Sequence, residues 1–183
     1  MIKIRIKLRT LLIAIILLVG IILSIYFYNK FQEEEKKEYI FNFEGIPIVM
    51  RAKIKDSYSI PIFPNEDFLN YSAFLLLSGA FKNVYMVFNN SDNLGNVALQ
   101  SFQITYVLKL IFIKKNLEIN ISGLEFSQAN FSLPNYYIFV KNTNCNQNFI
   151  NVTKLNFIEI CGVDTKGLDL ATTRFLVYLL KYK

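Results

Sequence analysis

The chain has 183 residues with 20 Lys and Arg against 14 Asp and Glu, no His, no Trp and two Cys. Without His there is no Ser-His-Asp or Cys-His arrangement for nucleophilic catalysis. Two Cys alone are too few for a four-ligand zinc site.

The first informative stretch is Thr10 to Tyr28, 19 residues without a charge. As a helix it spans roughly 28 Å, about one hydrocarbon core. Gly20 and Ser24 are small interruptions that a membrane helix tolerates. Tyr26, Phe27 and Tyr28 close the run, where aromatic rings favour the headgroup layer. Residues 1–9 carry Lys3, Arg5, Lys7 and Arg9, and the residues after the run mix Lys with Glu. This bias predicts a cytoplasmic basic segment (1–9), a transmembrane helix (10–28) held in the lipid bilayer, and the rest outside the cytoplasm. A secretory signal has a shorter apolar region and an Ala-x-Ala-like exit, which is missing here. The expectation is therefore an uncleaved, single-pass cell-membrane protein.

Four of the 20 basic residues precede the run and all 14 acids follow it, which leaves a net charge of +2 on residues 29–183. That is no footprint for nucleic acid, which needs a clustered basic face. Residues 29–39 form a charged stalk, with Glu33 and Lys37 spaced for a helical pair. Residues 40–183 are long enough for one domain with one core, rich in Phe, Tyr, Ile and Leu.

From Ile40 the pattern suggests strands. Tyr39–Phe43 is followed by Gly45 and by Ile46–Ile54, whose later half alternates. Asp56 and Ser57 predict a turn, and Tyr58–Phe63 a short edge strand marked by Pro61. Asn65 is a helix N-cap with Glu66 and Asp67 in the first turn, and Gly79 stands just past the helix end. Phe68, Tyr71, Leu75 and Ser78 are its expected inner stripe. Asn83–Phe88 predicts a central strand. The loop Asn89–Asn96 leads into a helix from Leu94, capped by Ser91 or Asp92 and ending near Lys114 and Lys115. Leu94, Val97, Ser101, Ile104, Leu108 and Ile111 form its stripe.

A strand is expected over Leu117–Ile121, then an irregular stretch over 123–133, then a strand at Tyr136–Val140. Phe149–Val152 and Asn156–Ile160 suggest a hairpin turning at Thr153–Leu155. Asp164 caps a last helix, Leu168–Leu180, with Leu168, Ala171, Phe175 and Leu179 inside and Thr172 and Arg174 elsewhere. The order predicts an α/β or α+β domain, a mixed sheet covered by about three helices.

Few residues suggest chemistry. Cys145 and Cys161 face each other if the hairpin is centred on Thr153, and a disulfide fits an extracytoplasmic site. Five Asn-x-Ser/Thr sequons occur, at Asn70, Asn89, Asn120, Asn130 and Asn151. Asn89 and Asn130 are expected in loops and are the first candidates for glycosylation, with Asn70 next. Asn120 and Asn151 fall on expected strands, and Asn-rich composition supplies some sequons by chance. The Asn89–Asn96 loop lacks the spaced acids of a calcium site. There is no Walker loop, no G-x-G-x-x-G and no CxxC. No cofactor, metal or small-molecule ligand is expected.

Two longer stretches carry a resemblance. FEGIPIVMRAKIK (43–55) with IPIFPNED (60–67), and GVDTKGLDLATTRFLVYLL (162–180), resemble a family of uncharacterised archaeal single-pass membrane proteins. That resemblance implies location and fold and attaches no activity. The expected function is a non-enzymatic structural or interaction module of the cell envelope, with an envelope protein as partner. The alternative is an extracytoplasmic enzyme using Asp92, Asp164 and Asp169, which requires those acids to converge.

Overall fold

A computed structural model of the chain describes residues 8–181, and the side chains among them from residue 17 onward except 31 and 34–36. Lys3, Arg5 and Lys7 of the basic start lie outside the described residues. Contacts divide the chain into two units, Met1–Glu38 and Tyr39–Lys183.

Among the described residues the first unit is one helix, α1 (Leu8–Lys37), unbroken through the charged stretch after Tyr28. Ser24 returns its hydroxyl to the Gly20 carbonyl at 2.8 Å, so this polar group is satisfied within the helix.

The second unit is α+β. It opens with a two-stranded antiparallel ribbon, β1 (Ile40–Phe43) and β2 (Ile46–Val49), turning at Glu44 and Gly45. Both turn residues have positive φ, 49° and 86°, which accounts for the glycine. The alternation expected to continue to Ile54 stops at Val49. Ile54–Ser57 is instead a helical turn, α2, and the Ala52 amide donates to Thr173 Oγ1 at 3.3 Å rather than to a strand. Alternating burial at Met50 and Ala52 thus comes from a bend against a neighbouring helix.

The main sheet has six strands in the order β3-β7-β8-β6-β4-β5. Strand β3 is only Ile62–Phe63, at the sheet edge and parallel to β7. Pro61 and Pro64 bracket it and deny it further amide donors. Tyr58, expected in this strand, is the C-cap of α2. Helix α3 (Glu66–Leu77) follows, with the Asn65 side chain accepting from the Phe68 amide at 3.0 Å and Gly79 at φ +80° beyond its end. Its inner face is Leu69, Ser72, Ala73, Leu76 and Leu77. The expected stripe was rotated, and Phe68 and Tyr71 point outward.

Strand β4 (Asn83–Phe88) is central, pairing in parallel with both β5 and β6. Helix α4 (Leu94–Lys114) has Asn93 at its N-cap and packs through Val97, Gln100, Ile104, Val107, Leu108, Ile111 and Phe112. Leu94, expected inside, is half exposed. Among the described residues α4 is long and apolar enough to cross a membrane, but its inner side belongs to the domain core.

Strand β5 (Asn120–Glu125) begins three residues later than expected. The cause is Asn116 at φ 53°, which ends α4 and lets the Leu117 amide return to the Phe112 carbonyl. A single 3-10 turn, Phe126–Gln128, precedes β6 (Asn135–Lys141). Strands β7 (Phe149–Lys154) and β8 (Phe157–Cys161) form the antiparallel hairpin. Its turn is Leu155–Asn156, beyond the expected centre. Helix α5 (Thr165–Lys181) closes the chain, buried over most of its length.

The three long helices of the second unit, α3, α4 and α5, share one face of the sheet. Val84, Met86, Ile138, Ile150, Ile158 and Ile160 meet buried side chains of α3, α4 and α5 there. The opposite face carries Val87, Tyr137 and Phe139, covered by Phe131, Ala129 and neighbouring rings of the segment before β6. The strand β4 alternation therefore feeds two unequal cores.

One polar link crosses the larger core. The Ser72 hydroxyl donates to the Leu155 carbonyl at 2.9 Å, so the 2.6 Å contact with Tyr136 has the phenol as donor. Burial pushes the Tyr136 phenol well above its usual range, partly offset by Ser72. Ser72→Ala strands a fully buried phenol and is expected to cost about 1–3 kcal/mol, whereas Tyr136→Phe removes only the bond, about 1 kcal/mol. Urea denaturation of both variants checks the order, and equal losses would refute this account.

Candidate functional site

The carboxyl ends of β4, β6 and β8 meet the amino ends of α4 and α5, the place where open α/β sheets commonly hold ligands. Here the chain fills that place itself. Asp92 Oδ1 accepts from the Asn142 amide at 3.1 Å, the Thr143 amide at 2.9 Å and Thr143 Oγ1 at 2.6 Å. The Asn93 amide donates in return to Asn142 Oδ1 at 2.9 Å. Two loops are thus tied by one carboxylate, whose Oδ2 is buried without a partner. Asp164 caps α5 by accepting from the Gly167 amide at 2.6 Å. Asp169 accepts from Arg51 Nε at 3.2 Å and from Gln100 Nε2. Each of the three carboxylates named as enzymatic candidates is engaged locally, and no group of three His, Cys, Asp or Glu suited to a metal occurs among the described residues.

Cys145 and Cys161 stand at disulfide distance, with Cα atoms 6.0 Å apart. The pairing was expected but the route differs. Cys161 ends β8 opposite Phe149 of β7, and beside Lys141 of β6. Cys145 lies before the ladder, in the loop after β6. The bridge therefore pins that loop to the sheet instead of cross-linking two ladder positions.

The sequons are placed unevenly. Asn89 and Asn130 lie outside strands and helices. Asn89 Oδ1 accepts from the Ser91 amide at 3.3 Å. Asn130 Oδ1 accepts from the Ser132 amide, the Ser132 hydroxyl and the Tyr137 phenol, the last at 2.7 Å. Asn70 sits on α3, and its sequon hydroxyl is the fully buried Ser72. Asn120 and Asn151 are on β5 and β7.

A second polar cluster was not anticipated. Arg174 of α5 is only 5% exposed, although the sequence pattern placed it away from the buried stripe. Its guanidinium lies 4.3 Å from the Tyr58 ring centre and 5.1 Å from that of Tyr178, and Nη2 reaches Glu66 Oε1 at 2.5 Å. Lys181 donates to the Tyr58 hydroxyl at 2.8 Å. These groups and Asn70 line a pocket of about 410 Å³. The signal was present in the sequence: Arg174, Tyr178 and Lys181 recur at helical spacing, so they share a face. Cation–aromatic stacking lets an arginine enter a mostly apolar site.

A larger groove, about 630 Å³, runs between β2 and α4. Its walls include Pro47, Val49, Leu99, Phe102 and Tyr106, and Gln103 Nε2 crosses it to the Val49 carbonyl at 3.0 Å.

Comparison with known protein families, with curated proteins and with solved structures found no match.

Two tests follow from this geometry. The Glu66 carboxyl is held below the ordinary carboxylate range by a hydrogen bond from Tyr178 and by the Arg174 and Lys181 charges, against some desolvation. A lowered folded-state pKa contributes stability above the unfolded value, and that contribution fades as pH falls through the folded value. Denaturation of the parent chain and Glu66→Gln should thus differ at neutral pH and converge in acid; a gap independent of pH would count against it. Secondly, opening the Cys145–Cys161 loop, with its separation of 16 residues, is expected to lower stability by about 3 kcal/mol. Unfolding midpoints that coincide with and without reductant would contradict this.

Proposed function

We propose that the chain is a single-pass, membrane-anchored protein whose α+β domain lies outside the cytoplasm and serves as a structural or interaction module of the cell envelope. The observation that carries this reading is the surface of α1. Every described side chain from Leu17 to Tyr28 is exposed, with the large apolar ones 47–64% open. An apolar helix that buries no face in its own protein needs an apolar solvent. The preceding Lys and Arg orient it with its start in the cytoplasm.

The cysteine pair supports an extracytoplasmic domain, because such bonds persist in oxidising compartments. The resemblance of residues 43–67 and 162–180 to archaeal single-pass proteins agrees with this placement. No observation favours the carboxylate-enzyme alternative, since Asp92, Asp164 and Asp169 are committed to loop, cap and ion-pair contacts. An envelope protein remains the proposed partner.

Protease treatment of intact cells tests the topology. Digestion of residues 40–183 from outside is expected, with fragments nicked between Cys145 and Cys161 held together until reduced. Protection in intact cells and digestion only after lysis would overturn the reading.

A further inference from the structure

The outward face of α4 has no occupant in the domain. Leu99, Phe102, Tyr106 and Ile113 follow one another at helical spacing on it, and Phe102 and Ile113 are each 71% exposed. Across the groove, Val49 of β2 adds another apolar side chain, 66% exposed. A helix that is apolar on both its packed and its outward face is one whose outer side is covered in use.

We propose that this face, α4 with the tip of β2, rests on an anionic lipid surface, the bilayer that holds α1. The inference rests on the anchor reading above. Three observations select lipid over a protein partner. Reach comes first: the domain begins at Tyr39, with ten residues (29–38) between it and Tyr28, and a helix of ten residues rises about 15 Å. The headgroup layer is thus close to any domain so tethered. Charge comes second: residues 93–117 contain no acid and three cations, Lys109, Lys114 and Lys115. Lys114 also holds Glu44 at 2.6 Å, which leaves Lys109 and Lys115 as the positive charges near the apolar strip. With Glu44 offset by Lys114, the charge left beside the strip on α4 is positive, which suits an anionic headgroup plane. Chemistry comes third: the strip mixes aliphatic side chains with Phe102 and Tyr106, the composition of an interfacial rather than a deeply inserted surface.

The chain has no Trp, so a single introduced Trp reports its own surroundings. Three full-length variants, Phe27→Trp, Phe102→Trp and Leu133→Trp, are placed in vesicles of phosphatidylcholine and phosphatidylglycerol brominated on the upper acyl chain. Leu133 is exposed in the segment before β6, two residues after Phe131, which packs on the side of the sheet away from α4. Emission from F27W and F102W is expected to be quenched relative to unbrominated vesicles, and emission from L133W to be unchanged. Replacing phosphatidylglycerol by phosphatidylcholine should weaken the quenching of F102W and leave that of F27W. Quenched F27W with unquenched F102W overturns the docking and leaves the anchor standing. If F102W is also blue-shifted in that case, the face is covered by protein, a second copy of the chain included. Unquenched F27W removes the anchor and this inference with it.

Discussion

The domain depends on the burial of α5. From Gly167 to Leu180 nearly every side chain is enclosed, and the helix meets α2, α4, β7 and β8. Such a position imposes close approach and draws polar partners from distant segments, although Thr172 Oγ1 and Arg174 Nε stay buried without one. Close approach explains Gly162 and Gly167: a Cβ on the first would overlap the Leu168 backbone, and on the second the Asn148 side chain. Neither glycine is needed for its conformation, since neither has positive φ. Polar pairing explains why distant segments converge on the helix. Thr173 takes the Ala52 amide, Asp169 takes Arg51 and Gln100, and Arg174 takes Glu66 and two tyrosine rings.

The same demand shapes the ends of the sheet. Asp92 and the Cys145–Cys161 pair both act on the segment between β6 and β7, which has no regular structure of its own. A carboxylate that satisfies two backbone amides and a hydroxyl gives that loop hydrogen bonds it would otherwise lack. The cysteine pair restricts the same loop covalently. Where a related sheet architecture would leave a crevice, this chain spends its polar groups on internal ties.

Element types were legible where local chemistry decided them. Asn65 with Glu66 and Asp67, and Gly79 beyond, delimit α3 because caps and positive φ are short-range demands. The strand β4 was legible because its residues are apolar and β-forming without interruption. What failed was facing. Helix α3 has Phe68, Tyr71 and Phe74 outside and Leu69, Leu76 and Leu77 inside, so apolarity alone could not say which side is buried. Arg174 failed for the complementary reason: the rings of Tyr58 and Tyr178 and the Glu66 carboxylate, brought by α2, the helix itself and α3, make its burial tolerable. The cysteine pairing was reached through a hairpin whose turn is in fact at Leu155–Asn156. The two cysteines nevertheless stand at disulfide distance, because the loop after β6, not the ladder register, brings Cys145 to the end of β8.

Helices α1 and α4 both carry long apolar stretches, and the difference between them is what each has already buried. Helix α4 commits Val97, Ile104, Val107, Leu108 and Ile111 to the core, so withdrawing it into a bilayer would empty the sheet of its cover. Its remaining apolar face is one strip wide, enough to lie against a surface and not enough to be solvated all round by lipid. Between Leu17 and Tyr28, α1 has no such commitment, and its apolar side chains are open on every side. Among the described residues, length and hydropathy single out α4, and the apolar part of α1 is the shorter run Leu17–Lys30. Burial separates them: α4 belongs to the domain core, whereas the apolar side chains of α1 from Leu17 to Tyr28 are exposed.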